Sequence, residues 1–227
     1  MRLSRLLPAI PALLVAFASA RADDTKDFLD PANWQGREDL WKIEGGSVIG
    51  ETKEDPKYNT FFCSKKKYGD FELRYKVQLR DGVGNSGVQI RSAIVDDKKF
   101  VVAGPQVDIG SGFIGALYGE KVGGYLLKPE KPLGNIKEFN EYVVIAKGNH
   151  VTITVDGKPS IDADFPDNKG KNPAPAEGII AFQIHGGYPK MRVEFKVSRE
   201  AKPSAGASCP VRSRGRVEVP RSASPRG

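Results

Sequence analysis

Apolar and polar residues alternate with a period of two along several stretches of this chain. The pattern is regular throughout Phe71–Leu79, and it returns at residues 85–92, where Val88 and Ile90 stand between polar neighbours. Successive side chains of a β-strand point to opposite faces, so this alternation is typical of strands with one buried face. The pattern therefore predicts a sheet that packs one face on a core.

Turn residues separate the predicted strands at hairpin spacing. Strands predicted at 142–146, 151–155 and 161–165 are joined by Gly148-Asn149 and Asp156-Gly157, which are dipeptides typical of tight turns between antiparallel strands. Beyond the N-terminus no segment sustains the 3.6-residue period of an amphipathic helix. We therefore expect an all-β domain, a sandwich of two antiparallel sheets.

The two ends of the chain differ from the middle in composition. Arg2 and Arg5 precede an apolar run that is broken by Pro8 and Pro11 and ends in small residues, which predicts a cleaved signal peptide over residues 1–22. Such a run is too short for a membrane span. Residues 201–227 are rich in Ser, Pro, Gly and Arg, which predicts a disordered basic tail. The domain is then residues 23–200 of a periplasmic or secreted protein.

The net charge of +7 belongs to those two ends. The predicted domain itself is close to neutral, so we expect no nucleic-acid partner. The only cysteines are Cys63 and Cys209, with no C-x-x-C motif. This spacing argues against a zinc-thiolate site or a catalytic thiol. Export would permit a disulfide, although Cys209 falls in the predicted tail.

Three predicted strands each carry a pair of polar side chains, two residues apart, that fall on one face. The pairs are Gln89 with Arg91, Gln106 with Asp108, and Gln183 with His185. Solvent-facing strands more often carry Lys, Glu, Thr and Ser. A mixture of amide, carboxyl, guanidinium and imidazole groups suits a ligand with many hydroxyls, so we interpret this face as a polar floor for a sugar.

Five motifs in a fixed order carry a family resemblance that runs from Phe28 to Val197. They read W-x-x-x-G-G-x-x-I-G-E-T, N-S-G-V-Q-I-R, G-P-Q-V-D-I-G with G-A-L-Y-G-E, G-N-H-V-T-I-T-V-D-G and G-I-I-A-F-Q-I-H-G-G. In this the chain resembles the 3-keto-disaccharide hydrolase domain family. The resemblance implies a concanavalin-A-like jelly-roll, export from a bacterium, and cleavage or binding of oxidised glycosides. One departure is Gly104, which stands where many members have an acidic residue.

A 3-keto sugar has an acidic hydrogen at C2, so a base can remove it while the aglycone leaves C1. His185 is the expected base, because imidazole titrates near neutral pH. The other expected catalytic residues, which would orient His185 or exchange a proton, are Asp108, Glu120 and Glu51. The expected substrate-binding residues are Asn85, Arg91, Gln106, Tyr118 and Gln183.

Other interpretations of the same residues stay open. Arg91 could form a buried ion pair with Asp108 or Glu51 that fixes strand register. A divalent metal on His185, Asp108 and Glu120 is chemically conceivable, but no spacing supports it, so we expect no cofactor. The chief alternative function is a non-catalytic carbohydrate-binding module. A third is a cell-surface interaction domain without a sugar ligand.

Overall fold

The computed structural model describes residues 25–124, 126–131, 133–166 and 175–199. The predicted signal peptide and the predicted tail, which contains Cys209, lie outside these residues. Within them the chain forms two antiparallel sheets of seven strands each. The prediction of an all-β, two-sheet jelly-roll sandwich is confirmed. In the described residues no helix is both long and apolar enough to cross a membrane.

Strands from distant parts of the chain alternate in both sheets. In spatial order, sheet A contains β1 (Trp34–Gln35), β4 (Thr60–Tyr68), β13 (Gly178–Ile184), β6 (Ser86–Asp96), β7 (Val101–Ile109), β8 (Leu117–Glu120) and β9 (Leu126–Leu127). Sheet B contains β12 (Lys158–Asp164), β11 (His150–Val155), β10 (Asn140–Lys147), β5 (Phe71–Leu79), β14 (Arg192–Arg199), β3 (Ser47–Glu51) and β2 (Trp41–Glu44). Two short 3₁₀ helices lie at Pro31–Asn33 and Arg80–Gly82.

The core lies between the two sheets and is built by the apolar members of each alternation. Val88, Val107 and Phe182 are fully buried from sheet A. The ring of Phe182 meets that of Phe195 from sheet B at a centroid distance of 4.5 Å. Burial of such side chains stabilises the fold by about 1.5–3 kcal/mol each. The period-two pattern therefore decides which face of each sheet turns inward.

The outer faces of the two sheets differ in chemistry. On sheet B, strand β5 turns Glu72, Arg74 and Lys76 outward, where they form ion pairs with partly exposed partners. On sheet A, the outward residues Gln89 and Gln106 are amides, and both are buried. Sheet A therefore has a covered polar face, which is unusual because buried polar groups must find partners inside the protein.

The cover on sheet A is the far end of the β6–β7 hairpin. The hairpin reaches back to β4, where the Phe61 N–H donates to the Phe100 carbonyl at 3.0 Å and the Thr60 hydroxyl donates to the Lys99 carbonyl at 2.8 Å. Val102 of the hairpin packs on Cys63 in a small apolar cluster. The β6–β7 pairing shifts register between 89 and 93, and such bulges bend strands.

Arg91 sits at this bulge and anchors it to the opposite sheet. Its φ is +46°, a left-handed conformation that non-glycine residues seldom adopt. The side chain is 1% exposed and donates to the Gly69 carbonyl at 2.8 Å, to the Gly148 carbonyl, and to Asp70 Oδ1 at 3.0 Å. Since these partners belong to the β4–β5 and β10–β11 turns, Arg91 fixes the bulge of β6 against one end of sheet B.

We predict that Arg91→Met lowers the free energy of unfolding by roughly 3 kcal/mol, because the buried Gly69 carbonyl, the Gly148 carbonyl and Asp70 all lose a charged donor. Chemical denaturation measures the change. The matched control is Arg74→Met, in which a partly exposed arginine loses only its pair with Glu72, and there we expect less than about 1 kcal/mol. Equal losses in the two variants would contradict the anchoring role.

Candidate functional site

A hollow of about 300 Å³ opens on the outer face of sheet A, beside the folded hairpin. Amide, carboxyl, imidazole and aromatic side chains line it, which is the mixture expected of a site that orients a polar ligand. The lining residues are Asn59, Asn85, Gln106, Asp108, Phe113, Tyr118, Glu120, Gln183 and His185. Seven of these are residues that the sequence analysis singled out.

Strand register explains why residues so far apart in sequence meet here. Gln106 of β7 pairs with Gln89 of β6 on one side and with Tyr118 of β8 on the other. Two residues further along β7, on the same face, Asp108 pairs with Gly87 of β6. Residues that are paired across neighbouring strands share a face, so the polar side chains of β6, β7 and β8 form one surface.

Gly87 makes room for the centre of this surface. A Cβ on Gly87 would lie 2.6 Å from the Gln106 side chain, so only glycine allows Gln106 to lie flat over β6. In that position the Gln106 amide is 2.7 Å from Asp108 Oδ1 and 3.3 Å from the Gln183 side-chain oxygen. Its other amide atom is 2.7 Å from the Gln89 amide. The floor of the hollow is thus a connected chain of amides that ends at a carboxyl.

His185 stands at the edge of this floor, directly after β13. Its Nδ1 contacts the Gly186 carbonyl, and because a carbonyl can only accept, Nδ1 carries the hydrogen. The Gly186 N–H in turn donates to Asn59 Oδ1 at 3.1 Å, which fixes the turn. The neutral ring then has its lone pair on Nε2, the atom that can take up a proton.

The two carboxyl groups of the hollow hold their protons more tightly than exposed acids. Burial is the main cause that raises the pKa of Asp108 to about 7; a Gln106 N–H that faces the carboxyl lowers it, Glu120 raises it, and Lys128 lowers it. Burial also raises the pKa of Glu120, against the opposing effects of Lys121, a hydrogen bond from Asn59, and His185. Two carboxyls that favour their protonated forms therefore face one space together with an imidazole.

Two expected site residues lie elsewhere, which corrects the sequence analysis. Glu51 ends β3 in sheet B, where its Oε2 is 2.9 Å from Arg192 Nη1. Arg91 turns away to the sheet B turns, because the left-handed bulge breaks the alternation that would have placed it beside Gln89. Its carboxylate partner is Asp70, so the alternative pairing with Asp108 or Glu51 is wrong as well.

Asn59 and Phe113 line the hollow but were not expected there. Asn59 comes directly before β4, and its Nδ2 is 3.5 Å from Glu120 Oε2. Phe113 lies in the loop between β7 and β8, under the ammonium of Lys128, which is 4.4 Å from the ring centroid. A residue flanking a strand carries no alternation signal. Only the glycine-rich segment around Phe113 could have suggested a binding loop.

Gly104 pairs with Glu120 across β7 and β8. Its φ is +144°, and a Cβ there would lie 2.3 Å from Ser92 Oγ, so this backbone excludes a side chain at that position. Glu120 on the paired strand brings a carboxyl to the hollow instead. Within the described residues, no three or more His, Cys, Asp and Glu side chains are grouped so that they could hold a metal ion.

Solved structures with this fold include several carbohydrate-related proteins. The carbohydrate-binding module CBM66 from Bacillus subtilis superposes with a TM-score of 0.52 at 17% identity, covering 73% of this chain and 93% of that one. A putative glycosyl hydrolase from Parabacteroides distasonis has a TM-score of 0.53 at 16% identity, with 76% and 88% covered. A galectin-like protein of unknown function from Bacillus subtilis has a TM-score of 0.55 at 14% identity, with 76% and 91% covered. At such identities the likeness shows the fold.

No curated protein matches the sequence. The model of one family, described as the 3-keto-alpha-glucoside-1,2-lyase-like domain, matches residues 24–199. This range contains both sheets and every residue of the hollow, and it agrees with the resemblance found in the sequence motifs. The chain therefore belongs to the 3-keto-alpha-glucoside-1,2-lyase-like domain family.

Proposed function

We propose that this protein cleaves 3-keto-glycosides, and that His185 and Asp108 are its base and its acid. The observation that carries the proposal is the convergence on one hollow of an imidazole, whose Nε2 has no hydrogen-bond partner among the described residues, and a carboxyl with a pKa of about 7. Asp108 keeps its proton up to a pH of about 7, so a carboxyl that can give a proton and an imidazole nitrogen that can take one face the same space, as an elimination requires.

The chemistry is an elimination. His185 Nε2 takes the C2 proton, and the electrons of the C2–H bond form an enolate whose negative charge lies on the C3 oxygen. When the C3 carbonyl re-forms, a C1–C2 double bond forms and the C1–O bond breaks. The departing oxygen receives the proton of Asp108, so a free alcohol leaves and the sugar remains as an unsaturated ketone. Water adds to the double bond afterwards. The enolate that precedes C1–O cleavage carries negative charge on the C3 oxygen, and Asn85 and Tyr118 bring N–H and O–H donors to the hollow.

The amide-rich floor also fits the second candidate, a carbohydrate-binding module without catalysis. Gln106, Gln183, Asn59 and Asn85 offer donors and acceptors that suit sugar hydroxyls whether or not a bond is broken. This function requires no proton on Asp108 and no free nitrogen on His185. The two candidates therefore differ in what His185 does and agree in where a sugar binds.

We predict that His185→Ala lowers the rate of cleavage of a 3-keto-disaccharide by about 10²–10⁴-fold, because the C2 proton loses its acceptor. Affinity for the same sugar, measured by calorimetry, stays within a few-fold of wild type. His150→Ala is the matched control, since His150 is the only other histidine and lies in β11 of sheet B. It should cleave at the wild-type rate.

Unchanged cleavage in His185→Ala would remove histidine from the base role. A wild-type protein that binds 3-keto-disaccharides and cleaves none of them is a carbohydrate-binding module. Absence of binding to oxidised and ordinary glycans alike would overturn both candidates.

We also predict that wild-type cleavage of a 3-keto-disaccharide declines as the pH rises through about 7. A raised pKa means that Asp108 keeps its proton below this value and loses it above, so a poor leaving group is no longer protonated. A 3-keto nitrophenyl glucoside needs no such proton, because nitrophenolate leaves unaided, and its cleavage should show no decline there. Steady-state rates across pH measure both.

The Asp108→Asn variant provides the complementary comparison. It should lose cleavage of the disaccharide by about 10²-fold or more while retaining cleavage of the nitrophenyl substrate. If both substrates lost activity equally, or if both declined together above pH 7, Asp108 would not be the acid.

A further inference from the structure

The buried amides of sheet A fix one another's orientation, beginning with Gln89. Gln89 is fully buried, does not line the hollow, and has one amide atom 3.0 Å from the Pro105 carbonyl and 3.3 Å from the Gly104 carbonyl. The oxygen and nitrogen of an amide have nearly the same shape, so hydrogen-bond accounting decides which is which. Carbonyls only accept, so the atom that faces them is the Gln89 nitrogen.

The hydrogen bonds of the Ser92 hydroxyl fit this orientation of the Gln89 amide. Its hydroxyl is 2.7 Å from the same amide atom of Gln89 and 3.0 Å from the Ile90 carbonyl. The hydroxyl can donate to Ile90 while it accepts from Gln89, so each of the groups has a role that it can fill. The opposite orientation would face an amide oxygen toward two carbonyl oxygens with no hydrogen between them, a costly arrangement in a buried site.

The orientation of Gln89 then determines that of Gln106. With its nitrogen committed to the backbone, Gln89 presents its oxygen to Gln106 at 2.7 Å. Gln106 must therefore donate to this oxygen with its own side-chain nitrogen. Its side-chain oxygen then faces Asp108 Oδ1, 2.7 Å away. Two oxygens at this distance need a hydrogen between them. The hydrogen can only belong to a protonated Asp108.

Gln183 is compatible with this chain. Its side chain lies 3.3 Å from Gln106 and is fully buried. When its nitrogen donates to the Gln106 oxygen, the atom left without a partner among the described residues is an oxygen rather than an N–H. An unpaired buried carbonyl is better tolerated than an unpaired N–H.

We propose that Gln89 is a positioning residue that, through Gln106, holds Asp108 in its protonated, proton-donating form. The inference deepens the proposed function, because it explains how the acid is kept loaded before substrate arrives. The proton on Asp108 can be measured without any substrate, however, so the two proposals can fail separately.

Other charged and titratable groups face Asp108 and influence its pKa, and the variants below leave all of them in place. They are Glu120 of β8, Lys128 after β9, and the phenols of Tyr118, Tyr75 and Tyr142. Burial raises the pKa of all three phenols, so they stay neutral over the range in which Asp108 titrates. Burial raises the pKa of Glu120, and the imidazole of His185 lines the same hollow, so the carboxyl signal of Glu120 and the imidazole signals of His185 are followed in each experiment.

The experiment is a ¹³C NMR titration of the Asp108 side-chain carboxyl in the full chain without ligand. In Gln89→Met the Gln106 amide is released and can turn its N–H to the carboxylate, so we expect the Asp108 midpoint to fall by about one pH unit or more. Gln78→Met, on sheet B, is the matched control and leaves the midpoint unchanged. A midpoint in Gln89→Met that stays or rises would overturn the proposal.

Gln106→Met gives a second test with opposite signs for the two orientations, and it serves alone if Gln89→Met fails to fold. Loss of a Gln106 oxygen that accepts from the acid lowers the Asp108 midpoint. Loss of a Gln106 N–H that donates to the carboxylate raises it. A rise therefore overturns the proposal, and a fall supports it whether or not the protein cleaves any glycoside.

Discussion

The site depends on one constraint: the polar face of sheet A is taken out of water by the protein's own hairpin. Gln89, Gln106 and Gln183 are almost completely buried, so each amide must satisfy its hydrogen bonds with its neighbours or leave them unmade at a cost of about 1–3 kcal/mol. A face covered in this way is rigid, because turning one amide breaks the bonds of the next. The hollow thus has a floor whose polarity is fixed before a ligand binds.

This constraint separates two kinds of surface within one fold. The outer face of sheet B carries lysine, arginine and glutamate in exposed pairs, which water screens and which contribute little. The outer face of sheet A carries amides that donate and accept equally, with Asp108, Glu120 and His185 around them. Burial favours the neutral form of both acids. Burial of this face therefore does two things. It fixes a floor of amides that can bond hydroxyl groups, and it favours the protonated form of Asp108 and Glu120.

Much of this could be predicted from the sequence, since the side-chain period of a strand is two. That period placed Gln106, Asp108, Gln183 and His185 on one face, and the structure brings them together. Arg91 could not be placed in this way, because its positive φ reverses the direction that the alternation assigns to it. The bulge depends on contacts with turns distant in sequence, and no local pattern encodes them.

Other parts of the site lie beyond what alternation can show. Glu51 was expected among the residues that line the hollow, but its strand β3 belongs to the other sheet, and sheet membership is set by tertiary pairing. Asn59 reaches the hollow from just outside a strand. The role of Gln89 is visible only once the Gly104 and Pro105 carbonyls are seen to point at it, since a pattern of polar positions does not show which atom of an amide faces which neighbour.

The most direct test of the central claim is a crystal structure of His185→Ala soaked with a 3-keto-disaccharide. Our account predicts the sugar in the hollow of sheet A, with C2 facing the space left by the imidazole and the glycosidic oxygen within hydrogen-bond distance of Asp108. A sugar bound on sheet B, or in the hollow with its glycosidic oxygen turned away from Asp108, would contradict it.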